Sequence, residues 1–480
     1  MLFNSLQYAL FLPVVFFIYW FITSKNLRLQ NGFLLAASYF FYACWDWRFL
    51  FLLLFSTFLD FFSGLKIGKT EKRSKRLFWL WLSISINLGF LGVFKYYNFF
   101  ATSFAALLSH MGLAVHPRML NVVLPVGISF YTFHGLSYIL DVYRRRIEPE
   151  RNFIDYGLFV SFFPLLVAGP IERATHLLPQ LKKPRNFDYR KTVDGMKQIL
   201  WGLFKKIVIA DTCARYVNAV YDNPAAMPGS ARLLAAVFFA IQIYGDFSGY
   251  SDIALGTARM LGIELLRNFA YPYFSRSIAE FWRRWHISLS SWFRDYLYIP
   301  LGGSKVGTWK KIRNVFVIFL VSGFWHGANW TFICWGALNA LFILPSVILK
   351  TNRNNLEIVA KGRSAPTLRE LAAMALTFAL TVLAWIFFRS DSLPGAFSFI
   401  AGIFSPSLFY PFPTLHLHRY FMVPLVCFFL TEWYGREDPY AIARFQLWPK
   451  TLRWAAYYAI FFYISYFSSY APQQFIYFQF

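Results

Sequence analysis

The segment Leu6–Thr23, LQYALFLPVVFFIYWFIT, carries no charge. It is long enough to cross a hydrocarbon layer of about 30 Å. No basic stretch precedes it and no small-residue cleavage site follows, so the expectation is a retained span. Similar apolar stretches recur at about 32–44, 48–65, 77–97, 121–140, 153–169, 196–220, 231–247, 315–346, 370–388, 419–433 and 454–470. A chain spending most of its length in lipid must satisfy its backbone internally, which leaves helices or a closed barrel. Stretches this long and continuously apolar select helices. The expected fold is therefore an all-α polytopic membrane protein with roughly eleven to thirteen crossings, plus re-entrant or interfacial helices. Composition agrees: of 480 residues, 58% are hydrophobic and only 15% charged, which excludes an ordinary water-soluble domain. No polar stretch is long enough to build a core of its own. Residues 1–470 thus form one membrane domain in this reading, with 471–480 a separate aromatic tail.

The formal charge of +24 raises nucleic acid as a partner, but the basic residues punctuate the apolar stretches instead of forming one stripe. They serve better as topology signals. Lys66, Lys69, Lys72, Arg73, Lys75 and Arg76 fill one loop, Arg144, Arg145, Arg146 and Arg151 another, and Lys305, Lys310, Lys311 and Arg313 a third. The positive-inside rule makes all three cytoplasmic. Counting crossings back puts the N-terminus outside. At the other end, Arg436, Arg444, Lys450 and Arg453 mark a cytoplasmic loop, so the last span runs outward and the tail also lies outside. The four cysteines, Cys44, Cys213, Cys334 and Cys427, have no close pairing and are expected to be small core residues.

Ionisable groups within spans cost roughly 3 kcal/mol each, which makes them functional candidates. His326, in VIFLVSGFWHGANW, sits between strongly apolar runs beside Gly323 and Gly327. It can be a core histidine bonded to a carbonyl at a close helix crossing, or a neutral general base. His286 lies in EFWRRWHISLSSWFRDYLYIPLGG, which is too polar to span. That segment is expected to be an amphipathic or re-entrant helix at the cytoplasmic interface, with Trp282, Trp285 and Trp292 at headgroup level and Arg283, Arg284 and Arg294 facing phosphates. It is either an anchor without chemistry or an attraction for the phosphates of an acyl donor. His134 reads as a packed polar residue. His110, His116, His176, His416 and His418 read as solvated. No H-E-x-x-H, C-x-x-C, P-loop or G-x-S-x-G pattern occurs, against a metalloprotease, an NTPase or an elbow-type hydrolase.

Taken together, LPVGISFYTFHGLSYILDVYRR, FFPLLVAGPIER, IYGDFSGYSDIALG, FWRRWHISLSSWFRDYLYIPLGG and SGFWHGANWTFICWGALNA resemble the membrane-bound O-acyltransferase family, in its bacterial alginate and peptidoglycan O-acetylation branch. The resemblance implies a helical ring around a central tunnel that joins a cytoplasmic donor site to an outward funnel. It implies that His326, in the W-H-G motif, is catalytic, and it singles out His286 in W-H-x-S-L-S. It implies acetyl-CoA as the donor substrate, with no permanently bound cofactor and no metal. It further implies a bacterial inner-membrane location, an extracytoplasmic SGNH-type O-acetyltransferase as partner, and a cell-surface polysaccharide as final acceptor. The ending QQFIYFQF is similar to the F-I-Y-F-x-F tail of the small partner protein in teichoic acid D-alanylation, which makes Tyr477 a candidate acyl relay. A phenol is a better leaving group than an alcohol, having a pKa near 10; an aromatic interface anchor is the alternative. Two rivals stand beside acetyl transfer: D-alanyl transfer from a carrier protein, and a transporter using the two histidines as a proton relay. The absence of repeats and the apparent scarcity of acidic residues within spans argue against the transporter.

Overall fold

The computed structural model describes residues 1–480 apart from 168, 415, 416, 418, 419, 469–472 and 477–480. Among the described residues every regular element is helical. Five helices among the described residues are long and apolar enough to cross a membrane: Arg48–Lys69, the continuous stretch Arg73–His110, Gly229–Met260, Trp330–Ile348 and Leu368–Arg389. Leu6–Ile22, Phe153–Leu166, Leu393–Ile403 and Met422–Tyr434 are shorter apolar helices.

Local chemistry explains the boundaries. Ser5 and Asn26 cap the first two helices with side-chain oxygens, Ser5 accepting from the amide of Tyr8 and Asn26 from those of Arg28 and Leu29. Thr367 and Glu370 form a capping box ahead of Leu368–Arg389. The stretch expected at 121–140 becomes helical only at Ile128, because Gly127 takes φ +75° there. The stretch at 153–169 breaks at Phe162, and Pro164 sits in the first turn of the short helix that follows. The single run 315–346 is a hairpin, Thr308–His326 and Trp330–Ile348, turned at Gly327–Asn329.

The chain divides into two compact units, Met1–Val193 with Thr257–Leu266, and Asp194–Gly256 with Arg267–Phe480. Polar contacts fasten the first. Asp60 is buried and accepts from Ser83 Oγ at 2.5 Å and Asn87 Nδ2 at 2.8 Å. Asn31 donates to Asp155 Oδ1 at 2.7 Å and to the carbonyl of Leu181 at 2.8 Å. Such bonds between helices in lipid contribute about 0.6 kcal/mol on average. The 32-residue helix Gly229–Met260 contributes its residues up to Gly256 to the second unit, where most of them are buried. Leu10, Phe17, Phe51, Phe58, Leu376 and Phe461 stay more than half exposed, as expected where the surrounding solvent is lipid.

Candidate active site

His326 is the last residue of the helix Thr308–His326. Its approach to the returning helix depends on two glycines. A Cβ at Gly323 would lie 2.3 Å from the carbonyl oxygen of Phe332, and one at Gly336 2.3 Å from that of Phe319. Only hydrogen fits at these points, so the backbones meet closely. Asn329 then starts the second helix by accepting from the amide of Thr331 at 3.0 Å. The result is a buried imidazole with aromatic walls. The His326 ring lies 4.8 Å from Trp325, 5.1 Å from Trp335 and 5.3 Å from Phe388, each roughly edge to face. Trp385 stacks behind Trp335 at 5.6 Å.

His286 belongs to the same constellation. Its segment is two short helices, Ile278–Arg284 and Ile287–Phe293, followed by a π-helical turn at Arg294–Tyr298. Two of the tryptophans expected at headgroup level are packed inside the protein: Trp285 is 1% exposed and Trp292 7%. Arg283 donates to the carbonyls of Asn352 and Asn355, both at 2.6 Å. Arg284 pairs with Glu280 at 2.8 Å, while Arg294 pairs with Asp295 at 2.8 Å and stays exposed. The first two arginines thus fasten protein to protein; a guanidinium surrounded by backbone carbonyls satisfies its donors without lipid phosphate.

The turn between the two short helices puts His286 at φ +42°, a left-handed conformation unusual for a side-chain-bearing residue. The ring is 1% exposed. Neither Nδ1 nor Nε2 has a hydrogen-bond partner among the described residues. A buried polar group so placed marks strain or an unfilled function. The neighbouring chain locks the turn from behind: the amide of Ile287 donates to the carbonyl of Asn268 at 2.9 Å, and Ser288 Oγ donates to Asn268 Oδ1 at 2.6 Å. The His286 ring meets Phe247 at 4.7 Å and Trp325 at 6.0 Å. Trp325 is therefore a ring neighbour of both imidazoles.

The sequence reading missed a third group. The chain from Tyr189–Leu203 continues through a π-helical turn, Phe204–Ala210. There Lys205 pairs with Asp252 at 2.6 Å, and Lys206 lies 2.8 Å from both Asp211 and Asp246. Glu432, also buried, accepts from Tyr244 at 2.6 Å and Trp201 at 3.2 Å. The expected scarcity of acidic residues within spans is thus corrected for Gly229–Met260, which carries both Asp246 and Asp252. Lysines within WGLFKKIVIA and aspartates within IYGDFSGYSD were the available signal.

The Lys206 cluster holds the C-terminal segment. Lys206 Nζ donates to the carbonyl of Gln473 at 3.1 Å, and Asp246 Oδ2 accepts from the amide of Ile476 at 2.7 Å. Phe475 and Ile476 are buried at 0% and 1% exposure. Phe475 packs on Tyr250 at 4.4 Å and on Phe247 at 6.3 Å. Phe247 is thus a ring neighbour of both Phe475 and His286. Tyr477 lies outside the described residues, as do His416 and His418.

Of the other histidines, His134 is packed as expected: Nε2 accepts from the amide of Glu172 at 3.1 Å. His110 and His116 are exposed. His176 is half-buried and bonded to Glu172 Oε2 at 2.7 Å. That hydrogen bond raises its pKa above the ordinary 6.5, against the smaller opposing effect of burial.

A sequence model of the membrane-bound O-acyltransferase family matches residues 149–379. The chain is 41% identical over 398 residues to a probable alginate O-acetylase of Pseudomonas putida, covering 82% of this chain and 78% of that protein. The chain belongs to the membrane-bound O-acyltransferase family. It is also 36% identical to the peptidoglycan O-acetyltransferase of Helicobacter pylori, over 84% of this chain and 80% of that one. A more distant relative, the teichoic acid D-alanyltransferase of Bacillus subtilis, is 28% identical over 46% of this chain and 59% of its own length. The protein is accordingly a multi-pass membrane O-acyltransferase. All of the residues around His286 except Phe475, and all of those around His326 except Phe388 and Trp385, fall within the matched segment.

Proposed function

We propose that this O-acyltransferase moves an acetyl group from cytoplasmic acetyl-CoA across the inner membrane for O-acetylation of a cell-surface polysaccharide, an alginate-like exopolysaccharide or peptidoglycan. The observation that carries the reading is the pair of buried imidazoles that both pack against Trp325, with neither nitrogen of His286 hydrogen-bonded among the described residues. His326 acts as general base and takes the proton of an acceptor hydroxyl. The freed oxygen attacks the thioester carbonyl carbon. His286, protonated on one nitrogen, donates to the carbonyl oxygen as negative charge gathers there. The C–S bond then breaks, the new ester remains on the acceptor, and the coenzyme A thiolate leaves and collects a proton. Dry aromatic walls strengthen both interactions and keep water from hydrolysing the thioester.

The acceptor is Tyr477 or a hydroxyl on the extracytoplasmic SGNH-type partner, which completes delivery to the polymer. Tyr477 is favoured because Phe475 and Ile476, two and one residues before it, are anchored, Phe475 on the same Phe247 ring that His286 meets and Ile476 through its amide on Asp246. The charge pattern of the loops supports a cytoplasmic donor face and an outward tail. The similarity to teichoic acid D-alanyltransferases keeps D-alanyl transfer from a carrier as a second reading.

Intact-protein mass spectrometry tests these points. Purified protein is incubated with acetyl-CoA, as wild type, His326→Ala and Tyr477→Phe. One added acetyl group on Tyr477, lost in both variants, is expected. Coenzyme A release that needs a soluble partner and leaves no adduct would remove the tyrosine relay while retaining the enzyme. Full transfer by His326→Ala would refute the base assignment.

A further inference from the structure

A cavity of about 570 Å³ opens within the first unit, and none of the residues discussed for transfer lines it. Lys183, Arg185, Lys191 and Arg259 line it, against one carboxylate, Asp188. Asp188 Oδ1 is already engaged, accepting from the amides of Arg190 and Lys191 at the start of the next helix. Glu264 lies 3.6 Å from Lys191 and 3.4 Å from Arg259, which offsets only part of the positive charge. Arg185 is 8% exposed. Its Nε and Nη2 donate to Gln30 Oε1, and Nη2 also to Asn31 Oδ1. Nη1 is buried without a hydrogen-bond partner among the described residues. A guanidinium fixed through Nε and Nη2 keeps one charged donor, Nη1, for an anion such as phosphate. The wall beside it is apolar. Trp20 spends its indole N–H on the carbonyl of Met260 at 3.0 Å, and Phe187 meets it edge to face at 5.7 Å while remaining 48% exposed.

We propose that this cavity binds a phosphorylated ligand, its phosphate held by Arg185, Lys183 and Lys191 and its aromatic or apolar body resting on Trp20 and Phe187. Two sources carry that chemistry: the nucleotide portion of a coenzyme A thioester, and the headgroup of an anionic phospholipid. The site stands independently of the roles given to His286 and His326.

The full chain in phosphatidylcholine nanodiscs is titrated with adenosine 3′,5′-bisphosphate by calorimetry. In parallel, phosphatidylglycerol retained on the detergent-purified protein is counted by native mass spectrometry. Because Arg185 also holds Gln30 and Asn31, the deciding variant is the exposed pair Lys183→Gln with Lys191→Gln, with an unchanged melting temperature as the folding control. Saturable nucleotide binding that weakens about tenfold or more in the variant supports the proposal and identifies the nucleotide source. Retained phosphatidylglycerol that the variant loses supports it and identifies the lipid source. Binding of neither probe by the wild type, or binding that the variant leaves unchanged, overturns it.

Discussion

Replacing Phe475 with alanine tests whether the C-terminal segment is a docked element that can be released without unfolding the rest. The phenyl ring is fully buried and packs on Tyr250 at 4.4 Å. Removing it forfeits about 1.5–3 kcal/mol of apolar burial, and the aromatic pair adds roughly 0.5–1.5 kcal/mol. A segment held by so few contacts can withdraw instead of leaving a cavity behind, so the cost falls on docking and not on the global fold. A loss of about 2–4 kcal/mol shifts the docked-to-released ratio on the order of 30- to 1,000-fold. The backbone bonds from Lys206 to Gln473 and from Ile476 to Asp246 remain available but must hold the segment alone. Carboxypeptidase digestion of the purified protein, followed by intact mass, reads the released fraction. Phe475→Ala should be trimmed far faster than wild type, Phe475→Leu should fall between them, and transfer should decline in the same order. Trimming of Phe475→Ala at the wild-type rate would refute the anchoring role of this ring.

Three further outcomes are expected. Gly336→Ala puts a methyl group 2.3 Å from the carbonyl oxygen of Phe319 and forces the hairpin apart; a loss of about 1–3 kcal/mol, seen as a lower melting temperature with reduced coenzyme A release, should contrast with a near-neutral Gly92→Ala, where nothing lies within 4 Å. Lys206→Met strands the buried carboxylates of Asp211 and Asp246 and should cost about 3–5 kcal/mol in chemical denaturation, part of which Lys206→Met/Asp211→Asn/Asp246→Asn recovers. The raised pKa of His176 means that folding favours its protonated form; the stability it contributes is complete below its ordinary value of 6.5 and disappears as pH rises through the raised value, so the melting-temperature gap between wild type and His176→Gln should close on moving to alkaline buffer.

The helices were legible because lipid imposes a length and an apolarity that few other structures share. The stretches at 48–65 and 370–388 became Arg48–Lys69 and Leu368–Arg389. His326 was legible for the same reason, as an imidazole between apolar runs. The environment of His286 was misjudged because its flanking arginines and tryptophans have the composition of an interfacial helix. Composition cannot distinguish an arginine facing phosphate from one whose donors are consumed by the carbonyls of Asn352 and Asn355, some seventy residues later. The Lys206 cluster escaped for a related cause. Its members come from separate stretches of chain, and charge neutralisation among Lys206, Asp211 and Asp246 is a property of their meeting.

That difference between satisfied and unsatisfied polar groups separates scaffold from site in the second unit. Every charge buried in lipid must be paired or the fold fails. Lys205 with Asp252, Lys206 with Asp211 and Asp246, and Glu432 with Tyr244 and Trp201 meet that requirement, which makes them the means by which helices and tail are fixed. His286 departs from it: its backbone is held in an unusual conformation, its ring is enclosed, and both nitrogens are left without hydrogen-bond partners among the described residues. A neutral imidazole tolerates this where a carboxylate or an ammonium would not, since its desolvation cost is far smaller. The paired charges can therefore exchange for apolar groups of similar size, whereas His286→Phe, which retains the packing against Phe247 and Trp325, should fold normally and lose transfer. Retained transfer in a folded His286→Phe enzyme would place this histidine with the scaffold.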